Sequence, residues 1–278
     1  MGNLIGIDMG GTTITGGLVE DDHIIKHTTV DTRADEGGEV TLNILKDLIR
    51  SLKDKETVGI GIGVPSVVDK NKGIVYNVQN IRDWDEVHLK ELLEVEFGIP
   101  VYIDNDANCF AYGEKIFGKG KEFKNFVGIT LGTGVGGGII QNNYLLLDSN
   151  CSSGEFGELP YRDSILEEYC GSRFFTRETG KSAYELALLA KQGDVEAINI
   201  YKEYGSHISK LVKIVMLILD PEAIIFGGSI AKSFDLFEQS MYDNLKDFPY
   251  PKSVEKIKIL TSDIQIMGVL GACALCFV

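Results

Sequence analysis

Apolar and polar residues along the first thirty positions form three short runs, separated by glycines or by Asp21-Asp22. Alternation with a period of two, bounded by turn residues, predicts three consecutive strands within residues 3–31. The apolar spacing then changes to three and four residues over 40–52, which predicts a helix. The chain therefore begins as a mixture of sheet and helix.

The predicted elements occur in the same order in the two halves of the chain. Further strands are predicted at 58–64 and 101–104, helices at 89–97 and 107–117, and a polar linker at 118–124. Beyond the linker the predicted elements are strands at 126–131, 135–141, 144–147, 223–226 and 257–260, a long helix at 194–219 and a terminal helix at 267–278. This restart predicts an α/β protein of two similar domains with mixed sheets, 1–122 and 123–264, with the C-terminal helix, 265–278, packed back on the first.

Two glycine-rich turns occupy equivalent places in the two halves. Aligned at an offset of 122 residues, Gly6 falls on Gly128 and Gly10 on Gly132. The first turn contains Asp8, Gly10, Gly11, Thr12 and Thr13, and the second contains Gly132, Thr133 and Gly134.

Glycine lets backbone amides approach phosphate oxygens, and threonine hydroxyls add donors. Two such turns facing one ligand in a central cleft favour a polyphosphate. Asp8, at a strand end, suits Mg²⁺ directly or through water. An ordinary glycine-rich hairpin is the alternative for the first turn.

Other nucleotide-binding motifs fit less well. No lysine follows the first turn, so it is not a Walker loop. The spacing G-x-G-x-x-G occurs at 132–137, but a strand follows where a dinucleotide-binding unit needs a helix. Gly227 and Gly228 follow a buried strand and could hold an adenosine, with a plain strand-to-helix turn as the alternative.

Asn105-Asp106 follows a predicted strand and opens a helix. A carboxylate exposed at such a strand end can accept a proton from a hydroxyl, as a general base does. The alternative is an N-capping pair, and both roles are compatible. Polar side chains at 77–84 and 154–158 suit sugar hydroxyls, since carboxylates accept hydrogen bonds and amides both donate and accept them. Solvated loops are the alternative for both segments.

Composition and charge narrow the class of protein. The formal charge of −14 repels a phosphate backbone, so nucleic acid is not an expected partner. The longest apolar segment, 267–278, is far shorter than the roughly 20 residues that span a bilayer, and no signal peptide is expected. The five cysteines are predicted to be free thiols of a cytoplasmic protein. The four histidines are predicted to lie on the surface.

Taken together, these residues resemble the ROK family (repressors, uncharacterised frames and kinases) of the actin-like ATPase superfamily, whose two ribonuclease-H-like domains surround a nucleotide cleft. The resemblance extends over nearly the whole chain. The matching segments are 5–12, 61–65, 80–84, 104–108, 128–138, 154–157, 166–167 and 220–228.

The resemblance implies an ATP- and Mg²⁺-dependent kinase that phosphorylates a hexose, first of all the 6-hydroxyl of a glucose-like sugar, and that forms a homodimer. Asp106 is the implied catalytic base. The implied sugar-binding residues are Asn80, Asn105, Asp106, Glu155, Glu158 and Glu167. The implied nucleotide-binding residues are Asp8, Gly10, Gly11, Thr12, Thr13, Gly132, Thr133, Gly134, Gly227 and Gly228, with Asp8 also a Mg²⁺ ligand.

Several alternatives stay open at this point. The sugar could instead be an N-acetylated hexosamine, allose or fructose. A non-catalytic sugar sensor without a DNA-binding module and a sugar-independent ATPase are the alternatives from other classes of protein.

The chain departs from the family pattern in two places. Glu158 replaces a histidine that in the family contacts sugar and helps bind zinc, and 159–166 lacks the family's cysteine cluster. We therefore expect no structural zinc. The change also brings Glu155, Glu158 and Glu167 to one pocket, which predicts a raised pKa for at least one of them, or recruitment of a cation or of Arg162.

Overall fold

The computed structural model describes residues 2–78, 81–147 and 149–277, which form two compact units. The first unit comprises Met1–Glu122, Tyr144–Ser153 and Ile264–Val278, and the second comprises Phe123–Asn143 and Gly154–Asp263. Segment 144–153 is thus grouped with the first unit, whereas the sequence placed it in the second domain.

The elements of the first unit up to residue 122 agree with the predicted order of strands and helices. They are β1 (Asn3–Met9), β2 (Thr13–Glu20), β3 (His23–Asp31), α1 (Gly38–Leu52), β4 (Thr57–Val64), β5 (Val67–Asp69), β6 (Ile74–Tyr76), β7 (Glu86–Val87), α2 (Leu89–Phe97), β8 (Val101–Asn105) and α3 (Asp106–Ile116). The predicted linker contains a short 3-10 helix, Lys119–Glu122.

The first unit is built on a five-stranded mixed sheet in the order β3-β2-β1-β4-β8. Strand β1 is antiparallel to β2 and parallel to β4, and β4 is parallel to β8. The three parallel strands therefore end at one edge, where Asp8 is paired with Gly63, and Val64 with Asn105. A separate antiparallel sheet, in the order β5-β6-β7, was not predicted.

The second half repeats this plan. Its elements are β9 (Phe126–Leu131), β10 (Val135–Gln141), β11 (Tyr144–Leu145), β12 (Pro160–Tyr161), β13 (Ser164–Ile165), α4 (Leu166–Cys170), α5 (Ser172–Thr179), α6 (Ala183–Lys191), α7 (Val195–Leu219), β14 (Ala223–Gly227), α8 (Phe234–Leu245), α9 (Pro251–Lys256) and β15 (Lys258–Thr261), and they are followed by α10 (Met267–Ala274). Strand β11 is shorter than predicted.

The second sheet has the order β11-β10-β9-β14-β15. Its strand β9 is antiparallel to β10 and parallel to β14, which is parallel to β15. Strands β1 and β9 therefore hold equivalent places in two mixed sheets, each followed by its glycine turn. This confirms the predicted α/β class with mixed sheets.

Helix α10 contacts the first sheet and α3 through glycines. A Cβ atom on Gly6 would lie 2.1 Å from the carbonyl oxygen of Val269, and one on Gly61 would lie 1.8 Å from that of Ala272. The two helices meet in the same way, since a Cβ on Gly113 would lie 2.7 Å from the Cα of Gly271. These positions lack side chains because the helix backbone occupies the space. The terminal residues are thereby fixed against the sheet edge that carries Asp8.

Aromatic side chains on α5, α7 and α8 form the core of the second unit. The ring of Tyr204 lies 4.8 Å from that of Phe175 and 5.1 Å from that of Phe237, measured between centroids. Its hydroxyl donates to the carbonyl oxygen of Cys170 at 2.6 Å, so the buried polar group is satisfied. This contact fixes the end of α4.

Among the described residues, no helix is long and apolar enough to cross a membrane.

All five cysteines are free thiols, as predicted. Cys109, Cys170 and Cys273 are buried, and burial raises the pKa of each thiol because it disfavours the thiolate. These thiols are therefore poor nucleophiles and act as small packing groups.

The surface prediction for the histidines is wrong for His207, which is fully buried on α7. Its Nδ1 lies 3.1 Å from the Tyr161 hydroxyl, and its Nε2 has no hydrogen-bond partner within the part of the chain that is described. Burial, followed by the positive charges of Arg162 and Arg177, lowers the pKa of His207 from 6.5 to about 4. The ring is therefore neutral at neutral pH.

This neutral histidine predicts acid sensitivity. Between pH 6.5 and pH 4 the unfolded chain protonates His207 and the folded chain does not, so the free energy of unfolding falls as the pH falls. The His207 contribution between pH 7 and pH 4 is about 3 kcal/mol. Urea unfolding of wild type and His207→Gln at both pH values measures it. We expect the variant to lose about 3 kcal/mol less, and an equal loss in both proteins would contradict the assignment.

Candidate functional site

The first glycine turn, between β1 and β2, is held by Thr32. The amide of Gly10 donates to the carbonyl oxygen of Thr13 at 2.8 Å, and the amide of Thr32 donates to that of Thr12 at 2.8 Å. The buried hydroxyl of Thr32 donates to the carbonyl oxygen of Gly10 at 2.9 Å. Thr12 and Thr13 are exposed and Gly11 is half-buried. The turn therefore has a fixed backbone with hydroxyls accessible to solvent.

Asp8 lies just before this turn, at the carboxyl edge of the first sheet. Its carboxylate lies against the first turn of α10, since a Cβ on Gly268 would be 2.1 Å from the Asp8 Oδ2. Burial raises the pKa of Asp8. A cation would favour the ionised carboxylate. Mg²⁺ is commonly held by one or two carboxylates together with waters and phosphates, so a carboxylate at this place fits that ion.

Asn105 ends β8 and caps α3. Its Oδ1 accepts from the amide of Ala107 at 2.8 Å, and its Nδ2 donates to the carbonyl oxygen of Ser66 at 3.2 Å. The N-cap alternative is therefore confirmed for Asn105. The half-buried carboxylate of Asp106, the first residue of α3, also accepts from Ala107 at 2.8 Å. A carboxylate in the first turn of a helix interacts favourably with the positive end of the helix dipole.

The residue behind this turn, Asp104, is buried and holds it in place. Its Oδ1 accepts from the backbone amide of Asn105 and from the Nδ2 of Asn108, both at 2.8 Å. Its Oδ2 lies 4.0 Å from the Nζ of Lys70. No role was predicted for Asp104 beyond its place in the motif. The structure makes it the support that orients Asn105 and Asp106.

The second glycine turn, between β9 and β10, is also held by backbone bonds. The amide of Gly132 donates to the carbonyl oxygen of Gly134 at 3.1 Å, and the amide of Ser172 donates to that of Gly132 at 2.8 Å. Thr133 is exposed at the tip. In the first turn of α4, Glu167 accepts from the amide of Val135 through Oε2 at 3.1 Å. A predicted sugar-binding residue thus contacts the predicted phosphate turn directly.

Glu155 and Glu158 lie at either end of a single 3-10 turn, Phe156–Glu158. Gly154 precedes it with a φ of +87°, and a Cβ there would lie 1.9 Å from the carbonyl oxygen of Gly137. Burial, and then the charges of Glu158 and Glu167, raise the pKa of Glu155. The prediction from crowded carboxylates is therefore confirmed in direction, although burial is the larger cause.

Arg162 contacts aromatic rings and not the carboxylates of Glu155, Glu158 and Glu167. Its guanidinium carbon lies 5.2 Å from the ring centroid of Tyr169 and 5.8 Å from that of Tyr161. Tyr161 belongs to the β12–β13 hairpin, at the place where the family's cysteines would stand. Within the described residues, no three His, Cys, Asp or Glu side chains are grouped to hold a metal ion.

The remaining predicted residues are less informative. Gly227 ends β14 opposite Thr130. Gly228 has a φ of +87°, and a Cβ there would lie 2.3 Å from the carbonyl oxygen of Leu131. Both observations fit a tight strand-to-helix turn, and the adenosine role stays a prediction. Asn80 lies outside the described residues.

Because the charge of Glu158 helps to raise the pKa of Glu155, a change at Glu158 should alter the pH dependence of activity. Glu158→Gln removes one negative charge, so the pKa of Glu155 should fall and the carboxylate should persist at lower pH. We expect the acid limb of kcat/KM for sugar to move to lower pH. The shift should shrink at high salt, because Glu158 is exposed and salt screens its charge. Glu196→Gln, which changes an exposed carboxylate in the first turn of α7, is the control. An unmoved limb in Glu158→Gln would contradict the coupling.

The sequence and the fold are similar to those of known proteins. The model of the ROK family matches residues 4–277. A glucokinase of Thermotoga maritima is 31% identical over 98% of this chain and 96% of its own length. A xylose repressor of Bacillus spizizenii is 29% identical over 95% of this chain and 73% of its own. A solved ROK family glucokinase of Streptomyces griseus, in complex with glucose and AMPPNP, is 26% identical with a TM-score of 0.85 over 99% of both chains. The fold is the two-domain actin-like ATPase fold.

Proposed function

We propose that this protein, which belongs to the ROK family, is a sugar kinase that transfers the γ-phosphoryl group of ATP to a hexose hydroxyl. The observation that carries the proposal is the recurrence of one device in both sheets. Each has a glycine turn with an exposed threonine directly after its central strand, β1 or β9. Backbone amides in such turns suit phosphate oxygens.

The residues divide into distinct roles. The sugar hydroxyl attacks the γ-phosphorus while the bond to the β-phosphate oxygen breaks, so ADP leaves and the sugar oxygen gains the phosphoryl group. Asp106 accepts the hydroxyl proton. Asn80, Asn105, Glu155, Glu158 and Glu167 orient the sugar. The two turns and Gly227-Gly228 bind the nucleotide. Asp8 would hold Mg²⁺, which would neutralise charge on the phosphates.

The first candidate substrate is the 6-hydroxyl of a glucose-like hexose. Similarity to the glucokinases of Thermotoga maritima and Streptomyces griseus supports it. N-acetylated hexosamines, allose and fructose are the other substrates to test, because Glu158 changes the polar groups available to the sugar. We also propose a cytoplasmic homodimer, which the free thiols and the family resemblance support.

A sugar sensor without turnover is the second candidate. It is favoured by the similarity to the Bacillus spizizenii repressor, together with Glu158 at the position where the family has a histidine. A sensor would bind sugar without consuming ATP.

A panel of sugars with coupled detection of ADP, with and without Mg²⁺, tests the proposal. We expect ADP release that requires both Mg²⁺ and one hexose. Sugar binding by calorimetry without ADP release would favour the sensor. ADP release at the same rate without sugar would indicate a plain ATPase.

A further inference from the structure

Glu167 occupies the junction between α4 and the turn that connects β9 to β10, residues 132–135, which we call the nucleotide turn. Its Oε2 accepts a hydrogen bond from the amide of Val135 at 3.1 Å. A Cβ on Gly134 would lie 2.5 Å from the same oxygen, so the carboxylate lies directly against that α-carbon. A carboxylate that accepts from a backbone amide makes a strong, charge-assisted hydrogen bond.

Two more glycines enclose the junction. A Cβ on Gly157 would lie 3.3 Å from the Glu167 Oε2 and 2.7 Å from the carbonyl oxygen of Val135. A Cβ on Gly171, one residue after α4, would lie 2.8 Å from the carbonyl oxygen of Thr133. Glycine at positions 134, 157 and 171 thus leaves the space between the Glu167 carboxylate and the turn free of side chains. Glu167 is held close enough to support the turn's shape.

The second carboxylate oxygen of Glu167, Oε1, is available to accept a hydrogen bond from a ligand. Over the described ranges no protein group donates a hydrogen bond to Oε1, and the side chain is half-buried. A carboxylate offers acceptor sites on both oxygens, so Oε1 can receive a sugar hydroxyl while Oε2 keeps the Val135 amide.

We propose that Glu167 is a positioning residue for the nucleotide turn as well as a sugar ligand, so that one carboxylate supports the binding of both substrates. The role of Glu167 as a sugar ligand rests on the proposed function, whereas its role at the nucleotide turn does not require sugar. Because binding effects between two sites are reciprocal, sugar at Oε1 and nucleotide at the turn should change each other's affinity by the same factor.

Three variants separate the two roles. Glu167→Ala removes both oxygens, and Glu167→Gln keeps an acceptor for the Val135 amide but loses the charge. Glu155→Ala removes a proposed sugar ligand that has no hydrogen bond to the turn among the described residues. Two measurements are made without sugar: hydrogen exchange of peptides covering 131–137, and affinity for AMPPNP with Mg²⁺.

In Glu167→Ala we expect faster exchange at 131–137 and about tenfold weaker AMPPNP binding, the size of one lost charge-assisted bond. Glu167→Gln should restore both values to within about threefold of wild type, and Glu155→Ala should leave both unchanged. Exchange within α7 should be normal in every variant, which separates local positioning from misfolding. Sugar affinity should fall in all three.

Unchanged exchange at 131–137 in Glu167→Ala would overturn the inference, whatever the enzyme's activity. A general rise in exchange that includes α7 would overturn it as well, because Glu167 would then be a structural residue. If wild type neither binds AMPPNP nor turns over any sugar, the proposed function fails, and the exchange data still decide the role of Glu167 at the turn.

Discussion

Asp106→Asn should lower kcat by about 10²–10⁴-fold while leaving the Kd for sugar within a few-fold of wild type. The amide can still accept the hydrogen bond from Ala107 that the Asp106 carboxylate accepts at 2.8 Å, so the start of α3 should be preserved. The amide cannot take a proton from the attacking hydroxyl. Steady-state kinetics with the best sugar, together with calorimetric sugar binding, measure the two effects separately.

The matched control for this variant is Asp35→Asn. Asp35 is an exposed carboxylate of the same unit, in the 3-10 helix that precedes α1. It should keep wild-type kcat and Kd. A near-normal kcat in Asp106→Asn would remove this carboxylate from the mechanism, and a large loss of sugar affinity instead of kcat would make it a binding residue only.

Gly268→Ala should raise the Mg²⁺ concentration needed for half-maximal activity by about 10- to 100-fold, the usual cost of disturbing a group that orients a metal ligand. The added methyl would lie 2.1 Å from the Oδ2 of Asp8 and 2.4 Å from its Cγ. The short Asp8 side chain must therefore move. Alanine is the better helix former by about 1 kcal/mol, so a weaker α10 would not explain the loss.

Two further variants serve as comparisons for Gly268→Ala. Asp8→Asn should raise the Mg²⁺ requirement as well, because it removes the charge directly. Gly59→Ala adds a methyl to β4 in the same unit, 3.3 Å from the flexible Cδ2 of Leu4, and should leave the requirement unchanged. An unaltered Mg²⁺ dependence in both Gly268→Ala and Asp8→Asn would exclude Asp8 as a metal ligand.

The sheets could be predicted because their signals are local. Alternation and glycine turns mark β1, β2 and β9, and the repeated motif places Gly10 and Gly132 after equivalent strands. Strands β5, β6 and β7 have three residues or fewer, which is too short for a period of two to stand out. Their pairing arises from tertiary context.

The candidate site was predicted as a set of residues, but its contacts could not be predicted. Asn105 and Asp106 were identified from their place after a strand, whereas the bond between Glu167 and Val135 joins residues far apart in the chain and has no sequence signature. His207 is different, because the signal was present. It lies three and four residues from Tyr204 and Leu211 on the apolar face of α7, so helical spacing already indicated a buried position.

The central claim is that phosphate passes from ATP to a sugar at the Asp106 carboxylate. It is tested most directly by following ADP, sugar phosphate and free phosphate together in one ³¹P NMR time course with Mg²⁺ and the preferred hexose. We predict equal amounts of ADP and sugar phosphate with wild type, little free phosphate, and neither product above background with Asp106→Asn. ADP matched by free phosphate, or sugar phosphate formed at the wild-type rate by Asp106→Asn, would contradict the account.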